Sequence, residues 1–319
     1  MFHLKAIGEV DGLEVVAVAD PDSSRVADVG KKAGAERHYI DYRELLSDPN
    51  VDAVAVNTPP RLHEVMVLDT LRAGKHVLCE KPLARSAEGC MHIREVQEAV
   101  GLTVTPVHNY AFTPCLETAR KVIGRGEIGG LRRASLRFDN NLRSYGSRTP
   151  FRMEERFSIV EDILPHVLSV VHEVATGPVE VEEVRGWSKS YKVIDNLSIG
   201  LRALGVESDC SMNWTSLIPA FTVEMVGDAG RITMDLMKRP YRVSIEAGGR
   251  RRTMDKPGLG KYIDLIRIKH PAFTNQYIHF VGVVEGEEEP RFTVDDEIKM
   301  LRVMDDVVGM LSDTPISQT

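Results

Sequence analysis

The 319-residue sequence contains no C-x-x-C pair and only four cysteines, Cys79, Cys90, Cys115 and Cys210. That spacing argues against a zinc knuckle or a disulfide framework and suits a reducing, cytoplasmic setting. No apolar run reaches the ~18–20 residues that a membrane helix requires. The opening Met1-Phe2-His3-Leu4-Lys5 lacks the basic-then-apolar order of an export signal. Positive charge is scarce too: 40 Lys and Arg stand against 47 Asp and Glu, a net charge of −7. Nucleic-acid binding needs a concentrated basic stripe, so that function class is excluded. The densest basic run, Arg250-Arg251-Arg252 with Lys256, follows Gly248-Gly249 and reads as a solvated hairpin turn. A G-x-S-x-G elbow is absent, which removes the α/β-hydrolase reading.

What the chain does have is alternation. Residues 13–19 (LEVVAVA), 51–57 (VDAVAVN), 76–80 (HVLCE) and 102–108 (LTVTPVH) are apolar runs suited to strands buried on both faces. Helical spacing fills 23–34, 41–47, 61–73 and 86–100 between them. This predicts an α/β, doubly wound parallel sheet over residues 1–125. From 126 to 319 the pattern changes to strands at 131–141, 179–190, 196–214, 220–226, 231–236 and 241–247. One apolar helix lies at 157–174, and two more close the chain near 259–284 and 294–311. Neighbouring strands with segregated helices predict an α+β second domain around an open, mostly antiparallel sheet.

The front of the first domain is short of one unit. A dinucleotide-binding sheet opens with a central strand, a glycine-rich turn and a helix whose amino end meets the pyrophosphate. Here residues 3–9 read as the tail of a helix, and the first strand-like run ends at Asp20 rather than in glycines. Three explanations stay open: a start placed too far downstream, a truncated gene, or a rearranged domain in which another segment fills the gap.

Two strand ends carry the chemistry. Asn57-Thr58-Pro59-Pro60-Arg61-Leu62-His63 and Glu80-Lys81-Pro82 close successive strands at the carboxyl edge, where open α/β sheets bind ligands. A lysine there places its ammonium beside a cofactor ring and substrate. These segments, with Gly74-Lys75-His76-Val77 between them, resemble the signature of the glucose-fructose oxidoreductase, inositol dehydrogenase and rhizopine-catabolism (Gfo/Idh/MocA) family. The likeness continues through Gly126-Glu127-Ile128-Gly129, Val226-Gly227-Asp228-Ala229-Gly230 and the helix after Thr293-Val294-Asp295-Asp296.

The resemblance implies hydride transfer between NAD, less readily NADP, and a secondary alcohol or ketone of a sugar, cyclic polyol or related small molecule. It assigns Lys81, His166 and Asp162 to catalysis. Asp20, Asn57, Thr58, Pro59, His63, Glu80 and Lys81 would hold the cofactor; Lys81, Asn109, Tyr110, Asp162 and His166 would hold the substrate. A carboxylate at Asp20 repels a 2′-phosphate, while Arg25 points the other way. The family's D-x-G-x-H element corresponds to Asp162-Ile163-Leu164-Pro165-His166, with Leu164 replacing the glycine and Phe157-Ser158 standing where a glycine pair often precedes it. Pro165 suggests a helix that begins there, which puts the one-turn spacing of Asp162 and His166 in question. No third ligand accompanies that pair, so no metal is expected. A homodimer or homotetramer through the second sheet is expected. The competing reading is a catalytically silent relative that keeps ligand binding or assembly without the phosphate-binding turn.

Overall fold

The computed structural model describes residues 2–143, 156–175, 177–255, 270–312 and 317–318. These fall into two compact units, one of residues 2–108 with 270–301 and one of the remainder.

The first unit alternates helix and strand: α1 (Phe2–Ile7), β1 (Ala17–Ala19), α2 (Ser23–Ala33), β2 (Arg37–Tyr39), α3 (Tyr42–Leu46), β3 (Ala53–Val56), α4 (His63–Arg72), β4 (His76–Glu80), α5 (Ala87–Val100) and β5 (Val104–Val107). Helix boundaries follow their caps. Asp22 accepts from the N–H groups of Ser24 and Arg25 to start α2, and Gly34, at φ 72°, ends it. All strand pairs are parallel, but they form two separate sheets: β1 with β2, and β3–β4–β5 in that order. Strand β1 is three residues long where seven were expected. Strand β2, Arg37-His38-Tyr39, was not anticipated at all. Its polar letters hide it, and it is anchored by Asp48, which takes Arg37 at 2.5 Å and the Tyr39 hydroxyl at 3.0 Å.

The second unit begins with α6 (Pro114–Gly124), β6 (Leu131–Asn141) and α7 (Ser158–Val174). Strands β7 (Val179–Ser188), β8 (Asn196–Ala203), β9 (Val206–Asn213), β10 (Thr215–Gly227), β11 (Gly230–Asp235), β12 (Arg239–Ala247) and β13 (Arg250–Asp255) follow. Helix α8 (Pro271–Val284) belongs to the first unit, α9 (Val294–Ser312) passes from the first to the second, and β14 is Ser317–Gln318. The sheet runs β13-β12-β11-β10-β6-β9-β8-β7-β14. Only the β6–β9 and β7–β14 pairs in it are parallel, so the expected mostly antiparallel sheet is what forms. In the first unit α8 buries Tyr277 and Phe280 with Ala6, Val10, Leu78 and Val107.

Three expectations need correction. Residues 196–214 are not one strand but the β8–β9 hairpin, turned at Leu204 (φ 49°) and Gly205 (φ 77°). The basic run is not a turn: Gly248-Gly249 make the turn, and Arg250–Arg252 enter β13 opposite β12. There Arg251 meets Glu246 at 3.6 Å and Arg252 pairs with Glu127; Lys256 and residues 259–269 lie outside the described residues. Helix α7 does not start at Pro165 but runs through it from Ser158, so one backbone bond is lost while the apolar face stays buried. Gly124–Gly129 has the spacing G-x-G-x-x-G, but it closes α6 and leads to a strand. A phosphate-binding turn has the reverse order, strand before and helix after.

Leu204 is 68% exposed and holds a left-handed conformation that favours asparagine and glycine. Leu204→Asn is expected to stabilise the chain by about 0.5–1 kcal/mol, read as a higher urea midpoint at unchanged slope.

Candidate functional site

Strand β3 ends at Val56 and delivers exposed Asn57, half-buried Thr58 and then Pro59-Pro60, whose fixed φ turns the chain into α4. The first residue of α4, His63, is fully buried, and its ring bridges two carbonyls: Nε2 lies 2.7 Å from Thr58 O and Nδ1 2.7 Å from Pro82 O. His63 therefore ties the two strand ends together from beneath.

At the end of β4 the Glu80 carboxylate meets His3 Nε2 at 2.8 Å and accepts the Lys81 N–H at 3.1 Å. Burial pushes the Glu80 carboxyl up, but the His3 hydrogen bond and the charges of His3 and Lys81 outweigh it and hold it below its ordinary value. The Lys81–Pro82 peptide bond is cis. Just beyond it, the Leu83 N–H donates to Glu297 Oε2 at 3.4 Å, and Glu297 Oε1 pairs with His108 Nε2. Glu297 and His108 are 2% and 0% exposed, and His108 Nδ1 has no partner among the described residues. Sequence reasoning missed Glu297, which lies 189 positions from His108; its signal was its place just after Asp295-Asp296.

Asp20 sits one residue past β1, accepts the Asp22 N–H at 2.9 Å and pairs with Arg25 at 3.1 Å. Lys75 has a structural task. It is 6% exposed, and its Nζ donates to the carbonyls of Asp48 and Val51 at 2.9 and 2.7 Å.

In the second unit, Asp162 and His166 lie one turn apart on α7. Asp162 Oδ2 accepts from Trp214 Nε1 at 3.2 Å. The His166 ring stacks on Phe138 at 5.7 Å and 6°, and Tyr110 meets it edge-on at 5.1 Å and 90°. Tyr110 follows the buried Asn109 in a short 3₁₀ turn ahead of α6. The structure thus gathers Asp162, His166 and Tyr110 within the second unit, and Thr58, His63, Glu80 and Lys81 within the first. Among the described residues no group of three or more His, Cys, Asp or Glu is placed to hold a metal, and no helix is long and apolar enough to cross a membrane.

Residues 1–108 match the family profile described as "Oxidoreductase family, NAD-binding Rossmann fold". Over 312 residues the chain is 24% identical to D-apiose dehydrogenase of Paraburkholderia graminis, covering 95% of this chain and 82% of that one. It is 37% identical to inositol 2-dehydrogenase 2 of Saccharopolyspora erythraea, but that match takes in only 38% of this chain and 36% of the relative. Among solved structures, an oxidoreductase from Agrobacterium radiobacter, crystallised with NAD+, L-tartaric acid and magnesium, superposes with a TM-score of 0.87. It is 20% identical, over 98% of this chain and 92% of that one, a likeness of fold.

Acid should expose the anchor under β2. The Asn50 N–H holds the Asp48 carboxyl well below the usual carboxylate range; burial opposes this, and the Asn50 amide, Arg37 and Tyr39 add to it. A lowered folded value means that the contribution is complete above the ordinary value near 3.8 and is lost as pH falls through the folded one. The urea midpoint is expected to drop between roughly pH 4 and pH 2, and Asp48→Asn should start lower and flatten that drop.

Proposed function

We propose that the chain is a member of the Gfo/Idh/MocA oxidoreductase family and that it transfers a hydride between NAD and a secondary alcohol or ketone carbon of a sugar or cyclic polyol. The observation that carries this reading is the pairing of two strand-end segments through one buried ring, His63 between Thr58 and Pro82. That tie presents Asn57–Pro59 and Glu80-Lys81 as one edge, where parallel α/β sheets take their ligands.

The residues present fit the two ends of a dinucleotide and not its middle. Asp20 offers a carboxylate to ribose hydroxyls and disfavours a 2′-phosphate, though Arg25 now occupies it. The glycine cradle for the pyrophosphate has no counterpart ahead of β1 among the described residues. When bound, a nicotinamide supplies the hydride acceptor or donor. The chain's own residues would do the rest. The Lys81 ammonium hydrogen-bonds the reacting oxygen and offsets its developing negative charge. His166 takes or returns the hydroxyl proton, and Asp162, steadied by Trp214, orients a neighbouring hydroxyl with help from Tyr110 and Asn109. This reading keeps the division into a cofactor domain (1–125) and a substrate and assembly domain (126–319).

The second sheet exposes Leu217 and Ile218, 88% and 65% accessible in β10, and we infer self-association through that surface. Two tests follow. Lys81→Ala is expected to leave the thermal transition unchanged and to lower turnover about 10²–10³-fold, in an NADH absorbance assay over a panel of sugars and inositols; turnover equal to the parent refutes the role. Sedimentation velocity at micromolar concentration should show a dimer or larger, reduced by Leu217→Asp, and a monomer throughout refutes the assembly.

A further inference from the structure

Among the described residues of the first unit, Glu297 is the most deeply buried carboxylate, and the proposed hydride transfer gives it no task. It is 2% exposed, and no ammonium or guanidinium among the described residues pairs with it. A carboxylate taken out of water in this way is costly, and an apolar side chain of the same volume would fill the position more cheaply. Packing alone therefore does not account for a charge here.

The sequence around Glu297 fixes its place. Thr293 and Asp296 cap each other at the start of α9: the Thr293 N–H and hydroxyl donate to Asp296 Oδ2 at 3.1 and 2.7 Å, and the Asp296 N–H donates to Thr293 Oγ1 at 3.2 Å. Asp295 takes Arg94 of α5 at 2.7 Å, and Phe292 packs on the His108 ring at 4.6 Å. Glu297 completes the acidic first turn, where the helix dipole favours an anion.

Both of its oxygens accept. Oε1 pairs with His108 Nε2, one residue past β5, and Oε2 takes the Leu83 N–H at 3.4 Å. His108 Nδ1 meets no partner among the described residues, so the ring proton sits on Nε2, where it is bonded. Glu297 thus joins the end of β5 to the turn after β4. That turn carries Lys81, and side chains hold its backbone at successive residues. Glu80 accepts the Lys81 N–H at 3.1 Å, His63 takes the Pro82 carbonyl at 2.7 Å, and Glu297 takes the Leu83 N–H. The first two holds come from the strand-end segments themselves; the third comes from 214 positions away.

We propose that Glu297, oriented by His108, is a positioning residue for Lys81. By holding the backbone two residues past Lys81 it fixes the direction in which the ammonium leaves β4. The proposal rests on the reading of Lys81 as the group that meets the reacting oxygen. A misplacement of about 1 Å at a reacting group costs about 10²-fold in rate, so loosening this turn is expected to appear in turnover before it appears in folding.

Glu297→Gln keeps the shape but has one acceptor oxygen, so it cannot serve His108 and Leu83 together; Glu297→Leu serves neither. Turnover in the NADH absorbance assay is expected to fall about tenfold in the first and about a hundredfold in the second, with the KM for NADH changed by less than about twofold. A second readout needs no turnover: NMR of the full chain after reductive methylation of its lysines with labelled formaldehyde, the Lys81 signal being the one lost in Lys81→Arg. That signal is expected to move, and to titrate at a different pH, in both Glu297 variants. It should stay in place in Asp48→Asn, which weakens the same unit at another site. A Lys81 signal that stays in place in Glu297→Gln overturns the proposal, and so does one that Asp48→Asn moves equally. A moved signal with turnover equal to the parent upholds the positioning and overturns instead the catalytic reading of Lys81.

Discussion

A buried parallel strand has two edges to satisfy, and that constraint organises the first unit. Strand β4 meets it: β3 and β5 bond to either side, and Val77, Leu78 and Cys79 are at most 2% exposed. Strands β1 and β3 meet it on one side only, and both are short. An unpaired backbone group buried away from water costs about 1–3 kcal/mol, and these two edges instead face a cavity of about 500 Å³. Asn57 and Thr58, which follow β3 at the carboxyl edge, hang on a strand half-supported in this way, whereas Glu80 and Lys81 close the fully paired β4.

Where the ladder does not reach, single polar side chains complete the backbone. Lys75 closes two carbonyls of the loop ahead of β3, and His63 closes two more at the edge itself. In the second unit Asp195, fully buried, accepts the N–H groups of Lys189, Ser190 and Tyr191. Each of these charged or polar groups is buried because its partners are fixed by covalent neighbours, which keeps the cost of desolvation matched by hydrogen bonds. The same logic covers the cysteines. All four are buried, and burial pushes Cys115 up to about 12, far from thiolate chemistry at neutral pH.

Legibility followed the range of the interaction. Strands β3, β4 and β5 were readable because each is written as a continuous apolar run, and α2 was readable because Asp22 and Gly34 are local caps. Strand β2 was not, since what holds Arg37 and Tyr39 is Asp48, a residue outside the strand. The β8–β9 turn was missed because Leu204 is a poor residue for the left-handed conformation it holds, and the sheet around it imposes that conformation. Glu297 could not be paired with His108 by any local pattern. Nor does anything within Pro271–Val284 say that this helix covers the first unit's sheet, for its apolar face would suit either core. At the edge, the letters Thr58, His63 and Glu80-Lys81-Pro82 were visible, while the bridge that makes them one surface was not.

Proline in α7 shows how packing overrides a local rule. A proline inside a helix costs about 3 kcal/mol, yet Ile159, Ile163, Leu164, Val167 and Val170 around it are at most 1% exposed. Fully burying such side chains contributes about 1.5–3 kcal/mol each, so continuity of the apolar face outweighs the lost bond. Leu164, standing where the resembled element has glycine, is itself part of that face. The consequence is that Asp162 and His166 owe their spacing to a buried helix and their orientation to Trp214, Phe138 and Tyr110. Those contacts all lie within the second unit and are independent of the open edges of β1 and β3. The Asp162–His166 pair and the carboxyl edge of the first unit are therefore stabilised by separate means, and a defect in one does not by itself disorder the other.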